Sequence, residues 1–476
     1  MTNTNATPSP SEATGEASTI CALATAPGGA LGIVRVSGSR AIEIVNQIAS
    51  SDVNTFSPNF AHYSHIVAKN AKFDETANFI DEVMITVFRA PHSYTGEDAV
   101  EISCHGSRYI LNKVLELLVQ NGCRMAEPGE FTKRAYLNGK LDLSQAEAVA
   151  DLIASTNEAT HQLAMSQLRG SISSELAQLR EQLLHLTSLL ELELDFSDHE
   201  DLEFADRNEL KELSNKIDNQ ITRLAHSFET GQAIKQGIPV AIVGKTNVGK
   251  STLLNQLLKD DRAIVSDVHG TTRDTIEDTI DIQGVTFRFI DTAGIRQTTD
   301  QVEKIGIERT FAAIDKARIV LWLIDAQPGT EETKEMQERC NDKSLIIIIN
   351  KIDKMLEKSV SNLSSHLSPL TTHLLSISAK QGTNIAQLEQ AIYQAADIPT
   401  LYDTDVIITN ARHYDALLRA HQSLSRVLDG MRSGLSGDLL SEDLRDVLDI
   451  LSEITGGQIT TNEVLGNIFK HFCVGK

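Results

Sequence analysis

Apolar and polar residues alternate with different periods along the chain, and the changes of period predict its architecture. From about residue 18 to residue 131, short apolar runs alternate with turn residues. Such runs, bounded by glycine and proline, are typical of strands and turns. Strands are predicted over 20–24, 32–36, 82–88 and 100–103, a turn over 27–29 and a helix over 109–119. The first part of the chain is therefore predicted to be an α+β domain.

Helical periodicity replaces this pattern in the next part of the chain. No proline occurs between Pro128 and Pro239, and none follows Pro399. Leucines recur at helical spacing in both proline-free stretches. Helices are predicted over 143–153, 163–194, 208–228, 414–431 and 441–455. We interpret the two blocks as one all-α helical domain interrupted by an insert, which costs little stability when the ends of the insert are adjacent.

The insert has a third pattern, in which short and wholly apolar runs end in polar turns. These runs predict buried strands over 238–243, 287–290, 319–324 and 345–349. A helix is predicted over 251–258, soon after the first strand. The whole chain is therefore predicted to be a multidomain α/β protein.

A complete G-x-x-x-x-G-K-S phosphate loop, from Gly244 to Ser251, joins the first predicted strand of the insert to its helix. The glycines allow backbone N–H groups to curl around a phosphate chain. Lys250 can reach the β- and γ-phosphates, and the Ser251 hydroxyl can bind Mg²⁺. The insert is therefore predicted to bind a nucleotide.

Four more motifs follow in the order that a GTPase needs. G-T-T-R-D at 270–274 offers a threonine to Mg²⁺ and the γ-phosphate, and D-T-A-G at 291–294 follows a predicted strand. In N-K-I-D at 350–353, Asp353 can accept hydrogen bonds from both N1–H and the exocyclic amine of guanine. S-A-K at 378–380 closes the base pocket. One such motif is common by chance, but five in this order predict a Ras-like GTPase (G) domain.

The position after D-T-A-G changes the expected mechanism. Many Ras-like GTPases place a glutamine there to orient the attacking water, but this chain has Ile295. A substitute is therefore needed. Asn247 can provide an oxygen ligand to a monovalent cation beside the phosphates. Such a cation would supply the positive charge that an arginine finger supplies elsewhere, which is worth roughly 10³–10⁵ in rate. Glu303 and Glu308 are candidate carboxylates, although a solvated helix-capping acid is the alternative interpretation of Glu303.

Composition disfavours several classes of protein. The chain has 476 residues, which suggests about three domains, and 41% of them are hydrophobic. Its five cysteines lack C-x-x-C spacing, which disfavours a disulfide scaffold or zinc ribbon and favours a cytoplasmic protein. No apolar run reaches the ~18 residues that span a membrane, and residues 1–17 resemble a disordered tail, not a signal peptide. The net charge of −22 disfavours broad coating of nucleic acid, but it permits a local basic patch or a basic partner.

Motifs in all three parts of the chain resemble the MnmE (TrmE) family of tRNA uridine-34 modification GTPases. The matching motifs are A-P-G at 26–28, G-I-V-R-V-S-G at 32–38, S-Y-T-G-E-D at 93–98, P-G-E-F-T-K-R-A at 128–135, L-N-G-K-L-D-L at 137–143, Q-A-E-A at 145–148, E-I-T-G at 453–456 and F-C-V-G-K at 472–476. Thr246 and His269 depart from the residues usual at their positions. The resemblance covers roughly residues 18–476.

The resemblance implies both domains and activity. After the disordered tail predicted over 1–17, it implies an N-terminal α+β tetrahydrofolate-binding and dimerisation domain over 18–137, a helical domain over 138–235 and 397–476, and an inserted G domain over 236–396. A homodimer would act with an MnmG-like FAD protein in a heterotetramer, with tRNA bound largely by that partner. The complex would add a carboxymethylaminomethyl or aminomethyl group to C5 of wobble U34, using a 5-formyl- or methylene-tetrahydrofolate donor. Dimerisation of the G domains around K⁺ would activate GTP hydrolysis.

The resemblance also implies the residues of each site. Folate would contact Arg35, Glu101, Lys140 and Lys476; Mg²⁺ would contact Ser251 and Thr272; K⁺ would contact Asn247, Ser266, Val268 and Thr271. The catalytic residues would be Glu303, Lys250 and Cys473. GTP would contact Asn247, Val248, Gly249, Lys250, Ser251, Thr252, Ser266, Asp267, Val268, His269, Gly270, Thr271, Thr272, Asp291, Thr292, Ala293, Gly294, Asn350, Lys351, Asp353, Ser378, Ala379 and Lys380.

Two other functions compete with this one. A regulatory G protein, such as a ribosome-assembly factor, usually carries a basic RNA-binding appendage, which this acidic chain lacks. A folate-binding module whose GTPase only gates assembly is the third hypothesis. The modification state of the wobble uridine in cells lacking the protein separates the first hypothesis from the other two.

Overall fold

The computed structural model describes residues 18–26, 28–68, 79–195, 207–258, 278–290, 303–367, 373–398 and 406–457, with Leu465, 468–470, Phe472 and Gly475. They form two compact units. The first unit comprises the described residues within 1–153, 168–173 and 451–476, and the second comprises those within 154–167 and 174–450. Two mixed sheets and long helices confirm the multidomain α/β class. No helix in the described ranges has the length and hydrophobicity needed to cross a bilayer.

The first unit contains a six-stranded sheet in the order β3-β4-β5-β2-β1-β6. The strands are β1 (Ile20–Leu23), β2 (Leu31–Ser37), β3 (Ala61–Val67), β4 (Phe79–Phe88), β5 (Ala99–His105) and β6 (Arg124–Met125). The four predicted strands are confirmed as parts of β1, β2, β4 and β5. The edge strand β3 was not predicted from the sequence, because its residues lack a strong apolar alternation. Only Ser64 and Ile66 of this strand are buried.

Strand alternation separates the main core of this unit from the opposite face of the sheet. Val34 and Val36 of β2 are buried in a core that also contains residues of α1 (Ala41–Ile48) and α2 (Arg108–Gln120). Successive side chains of a strand point to opposite faces. Arg35 is therefore on the other face, where it lies directly opposite Glu101 of β5.

The C-terminal residues pack against the second half of this unit. Leu465 and Phe469 form a cluster with Leu143 and Ala146 of α4 (Leu143–Ala154). Before α3 (Glu130–Leu137), Gly129 has a φ of +66°, and a Cβ there would lie 2.8 Å from Cβ of Phe472. A glycine is therefore required for the C-terminal segment to approach this closely.

Long helices lie mainly, though not wholly, in the second unit. They are α5 (Glu158–Leu168), α6 (Ser171–Asp195), α7 (Arg207–Gln236), α13 (Ala411–Arg432) and α14 (Gly437–Thr455). The prediction of one helix over 163–194 is wrong. The helix breaks at Gly170, whose φ of +86° is left-handed, so that two helices share the leucine pattern.

The remainder of the second unit is an α/β sheet in the order β12-β11-β10-β7-β9-β8, parallel except for the β8–β9 pair. Its strands are β7 (Ile238–Val243), β8 (Asp278–Ile282), β9 (Val285–Phe289), β10 (Ile319–Ile324), β11 (Ser344–Ile349) and β12 (His373–Ser376). The helices are α8 (Lys250–Leu257), α9 (Glu303–Lys316), α10 (Thr330–Arg339), α11 (Glu357–Leu367) and α12 (Ile385–Ala395). Parallel pairing places the carboxyl ends of β7, β10 and β11 side by side.

Residues outside the predicted insert complete the core of this sheet. Ala159 and Leu163 of α5 and Ile407 belong to one hydrophobic cluster with residues of β7, β8 and β9. The backbone N–H of Ala159 also donates to the Gly284 carbonyl, at 3.0 Å, in the β8–β9 turn. We call this cluster the shared core.

Candidate functional site

The phosphate loop lies between β7 and α8, and its two glycines are required by close contacts. Gly244 has a φ of +144°, and a Cβ there would lie 2.3 Å from the Leu323 carbonyl oxygen. Gly249 has a φ of +104°, and a Cβ there would lie 2.4 Å from Nδ2 of Asn350. Any side chain at either position would therefore push the loop away from β10 or from Asn350.

Lys250, the first residue of α8, folds back into the loop. Its ammonium donates to the carbonyl of Gly244 at 2.5 Å and to that of Lys245 at 2.9 Å. Burial lowers the pKa of Lys250. A cation at a helix N-terminus, beside backbone N–H groups, suits a phosphate chain. Ser251 and Thr252 follow in the first turn of α8, with Ser251 half-buried and Thr252 exposed.

Asn350 joins the phosphate loop to the base-pocket loop. It is buried, its Nδ2 donates to the Val248 carbonyl at 2.8 Å, and its Oδ1 accepts from the Ala379 N–H at 3.0 Å. The structure thus brings three predicted motifs together through one side chain. Since both ends of the amide are used within the protein, Asn350 orders the pocket walls.

Asp353 lies in a short turn after β11 with its carboxylate at the surface. Its Oδ1 accepts a hydrogen bond of 2.6 Å from the Ser378 hydroxyl, and this bond is the main reason that the pKa of Asp353 is lowered. The carboxylate therefore stays ionised as an acceptor. The positive charges of Lys354 and Lys380 further lower the pKa of Asp353.

Lys351 has a contact that the sequence analysis did not predict. Its ammonium donates to the Asn247 carbonyl at 2.6 Å and to Oδ2 of Asp325 at 2.7 Å. Asp325 directly follows the buried strand β10. A carboxylate at the carboxyl end of a parallel strand is the only signal in the sequence that could have indicated this residue.

Several predicted residues cannot be placed. Those that lie outside the described residues are Ser266, Asp267, Val268, His269, Gly270, Thr271, Thr272, Asp291, Thr292, Ala293, Gly294, Cys473 and Lys476. Glu303 is the first residue of α9, and its side chain is not among those described.

The predicted folate residues Arg35 and Glu101 form an ion pair on the face of the first sheet opposite its main core. Nε and Nη2 of Arg35 donate to Oε1 of Glu101 at 2.9 and 2.7 Å, and Nη1 donates to the Gly475 carbonyl at 3.3 Å. The guanidinium carbon lies 5.7 Å from the ring centroids of both Tyr94 and Phe131. The structure thus brings a cation, an exposed aromatic ring and the C-terminal segment together.

Lys140 contacts the same loop that carries Tyr94. Its ammonium donates to the Pro91 carbonyl at 3.1 Å. A buried ion network holds this loop, since Arg134 pairs with Glu97 at 3.1 Å and with Glu130 at 2.9 Å. Burial raises the pKa of Glu130, but hydrogen bonds from Arg124, from the Glu127 N–H and from Arg134 outweigh it and lower the pKa to about 2. Sequence reasoning assigned no role to this network.

The four described cysteines are buried free thiols, Cys21, Cys104, Cys123 and Cys340. Burial raises the pKa of Cys104 to about 12 and that of Cys340 to about 11. A protonated, inaccessible thiol is a poor nucleophile. Neither Cys104 nor Cys340 therefore offers an alternative to Cys473 as a reactive cysteine.

The chain is similar to known proteins along nearly its whole length. Residues 143–473 match the family model of the MnmE helical domain, and residues 19–140 match that of the GTP-binding protein TrmE N-terminus. The tRNA modification GTPase MnmE of Phocaeicola vulgatus is 55% identical over 96% of this chain and 99% of its own length. The MnmE protein of Parabacteroides distasonis is 53% identical over 96% of this chain and 100% of its own length. That of Bacteroides thetaiotaomicron is 52% identical over 96% of this chain and 99% of its own length. The solved structure of a GTP-binding protein from Sulfolobus solfataricus covers 50% of this chain and 71% of its own chain at 19% sequence identity. Its TM-score of 0.25 is too low to support an argument.

Proposed function

The chain belongs to the MnmE family of tRNA modification GTPases and is a GTPase, and we propose that it modifies the wobble uridine, U34, of certain tRNAs. The observation that supports this most is the similarity to MnmE proteins over 96% of the chain. It would act in the cytoplasm as a homodimer with an MnmG-like partner that carries FAD and binds most of the tRNA. A tetrahydrofolate derivative would supply the one-carbon unit for the group added at C5.

The described residues fit a guanine nucleotide. The phosphate loop leaves no room for side chains at Gly244 and Gly249, and Lys250 supplies a cation inside it. Asp353 is an ionised acceptor held by Ser378. Mg²⁺, held by Ser251 and Thr272, would neutralise charge on the β- and γ-phosphates.

Asn247 would orient a monovalent cation together with Ser266, Val268 and Thr271. Its backbone φ of +62° is left-handed. It lies midway along the phosphate loop from Gly244 to Ser251, and we call this position the apex of the loop. Oxygen ligands suit an alkali cation, and K⁺ would supply positive charge beside the phosphates. Ile295 cannot replace this contribution, because it has no polar group.

We expect the full chain to hydrolyse GTP at least about tenfold faster in KCl than in NaCl at matched ionic strength, because the cation replaces an arginine finger. Initial rates of phosphate release measure this effect. Asn247→Ala should abolish the difference, whereas Asn341→Ala, at an exposed asparagine of the same domain, should retain it. Equal parent rates in the two salts would exclude a K⁺-dependent mechanism.

Arg35, Glu101, Lys140 and the terminal Lys476 would hold the folate. Arg35 and Lys140 suit anionic carboxylates, a carboxylate suits the donor edge of a pterin, and the exposed Tyr94 ring beside Arg35 suits a flat ligand. Gly475, whose carbonyl accepts from Arg35, ties the C-terminal segment to this site. Cys473, two residues earlier, would thus act at the same site.

We expect 5-formyltetrahydrofolate to bind the full chain without nucleotide, and Lys140→Ala and Arg35→Ala each to weaken binding about tenfold or more, since each removes a charge-assisted contact. Isothermal calorimetry measures the affinities. Arg40→Ala, which removes an exposed pair with Glu43 in the same unit, should not change them. Melting temperatures are needed alongside, because Arg35→Ala also leaves Glu101 unpaired. Absence of heat with the parent would contradict the folate assignment.

The proposed function has a direct test. The parent organism and a strain lacking this chain are compared by mass spectrometry of digested tRNA. Loss of the modified wobble uridine, restored by the parent chain, is the expected result. Unchanged modification would favour the regulatory G protein or the folate-binding module.

A further inference from the structure

Asp325 links the two loops that surround the nucleotide site through a single lysine. The Lys351 ammonium lies 2.7 Å from Oδ2 of Asp325 and 2.6 Å from the Asn247 carbonyl oxygen. The side chains of Lys351 and Asp325 are 33% and 32% exposed, so solvent screens their pair only partly. One cation thus contacts a carboxylate and the apex of the phosphate loop at once.

The order of the strands explains this arrangement. β10 pairs in parallel with β7 on one side and with β11 on the other. The phosphate loop follows β7, and Lys351 follows β11. The residue that directly follows β10 therefore lies between them, and that residue is Asp325.

We propose that Asp325 is a positioning residue for nucleotide binding, which holds the Lys351 ammonium on the Asn247 carbonyl and so fixes the apex of the phosphate loop. Asn247 has a left-handed φ of +62°, a conformation that asparagine adopts more readily than most residues and that the Lys351 hydrogen bond helps to hold. Without Asp325, the flexible Lys351 side chain keeps only its hydrogen bond to the Asn247 carbonyl. The phosphate loop then spends less time in the conformation that binds nucleotide. This inference rests on the proposed GTP site.

Simple electrostatics predicts the opposite result, which makes the proposal easy to test. A carboxylate near a nucleotide repels its phosphates, so the removal of its charge should tighten binding if charge alone mattered. If Asp325 acts through Lys351, its removal should weaken binding. The sign of the change therefore separates the two explanations.

The first experiment compares Asp325→Asn with the parent by measuring the affinity and release rate of a fluorescent GDP analogue on the full chain. We expect binding to weaken about 5–20-fold through faster release, which is the effect of one partly exposed charge-assisted hydrogen bond. The kcat at saturating GTP should change less than about threefold. Binding within about twofold of the parent, or tighter binding, would overturn the proposal.

Glu332→Gln is the matched control. It removes an ion pair of 2.8 Å between α10 and Lys245, a lysine of the phosphate loop whose side chain is 66% exposed. It should change GDP affinity by less than about twofold. An equal loss with Glu332→Gln would show that any acidic residue near the loop has this effect, which also contradicts a specific role for Asp325.

A double-mutant cycle tests the route through Lys351. In a Lys351→Met background, Asp325→Asn should have no further effect on GDP release. A full additional loss there would mean that Asp325 acts independently of Lys351, and the proposal would fail. Absence of GDP binding by the parent would instead refute the GTP site itself, so the two failures are distinguishable.

Discussion

We expect Glu303→Ala to lower the rate of GTP hydrolysis by roughly 10²–10³ and to leave GTP affinity nearly unchanged. The attacking water lacks its usual glutamine, because Ile295 occupies that position. A carboxylate that positions the water, directly or through a second water, would restore this function. Such a group contacts no phosphate in the ground state, so its loss should reduce kcat and spare binding.

The position of Glu303 supports this expectation. It follows the D-T-A-G motif at 291–294 and is the first residue of α9. Glu308→Ala is the control, because position 308 is about 140° further round the same helix and cannot replace position 303. Single-turnover phosphate release and GTP affinity should be measured for both variants. Parent rates for both would show that another group handles the water.

The second large effect is a change of base specificity. We expect Asp353→Asn to weaken GTP binding by about 10²–10³ and to favour xanthosine triphosphate, because two charge-assisted hydrogen bonds to guanine are lost. Xanthine has a carbonyl where guanine has its exocyclic amine. An asparagine can accept from N1–H and donate to that carbonyl. The Ser378 hydroxyl, which donates to Oδ1 of Asp353, would keep the amide oxygen at the same place.

Competition between the two nucleotides for the purified chain measures this switch. Asp342→Asn, at an exposed aspartate in the same domain, should leave the preference for GTP intact. Because Asp353 lies at the surface, the melting temperature of the variant should match that of the parent. Unchanged GTP binding by Asp353→Asn would show that guanine is recognised elsewhere.

The candidate nucleotide site can be recognised in the sequence because its motifs are local. A phosphate loop needs glycine where backbone and side chains approach closely, and Gly244 and Gly249 meet this requirement at 2.3 and 2.4 Å. A requirement of this kind involves residues close together in the sequence, so the motif can be recognised without knowledge of the fold. Asp325 was missed because a single aspartate after an apolar strand is common. Its role depends on the strand order, which the motifs do not reveal.

The same reasoning explains the other differences. The pairing of Arg35 with Glu101 depends on the register of β2 against β5, and residues 66 positions apart carry no local sign of it. The break at Gly170 was missed because leucine spacing is similar in both flanking helices. The domain boundaries at 236 and 396, which the resemblance implies, assign each residue to a single domain. Ala159, Leu163 and Ile407 nevertheless take part in the shared core.

The shared core also sets an order of events during synthesis. The ribosome makes α5 first, the strands of the nucleotide sheet later and Ile407 last. The apolar cluster that contains Ala159 and Leu163 therefore stays incomplete until β7, β8 and β9, and finally Ile407, have emerged. Domains usually fold as units, the N-terminal one first, during translation. Here part of an early helix completes its native packing only after a later domain has been made.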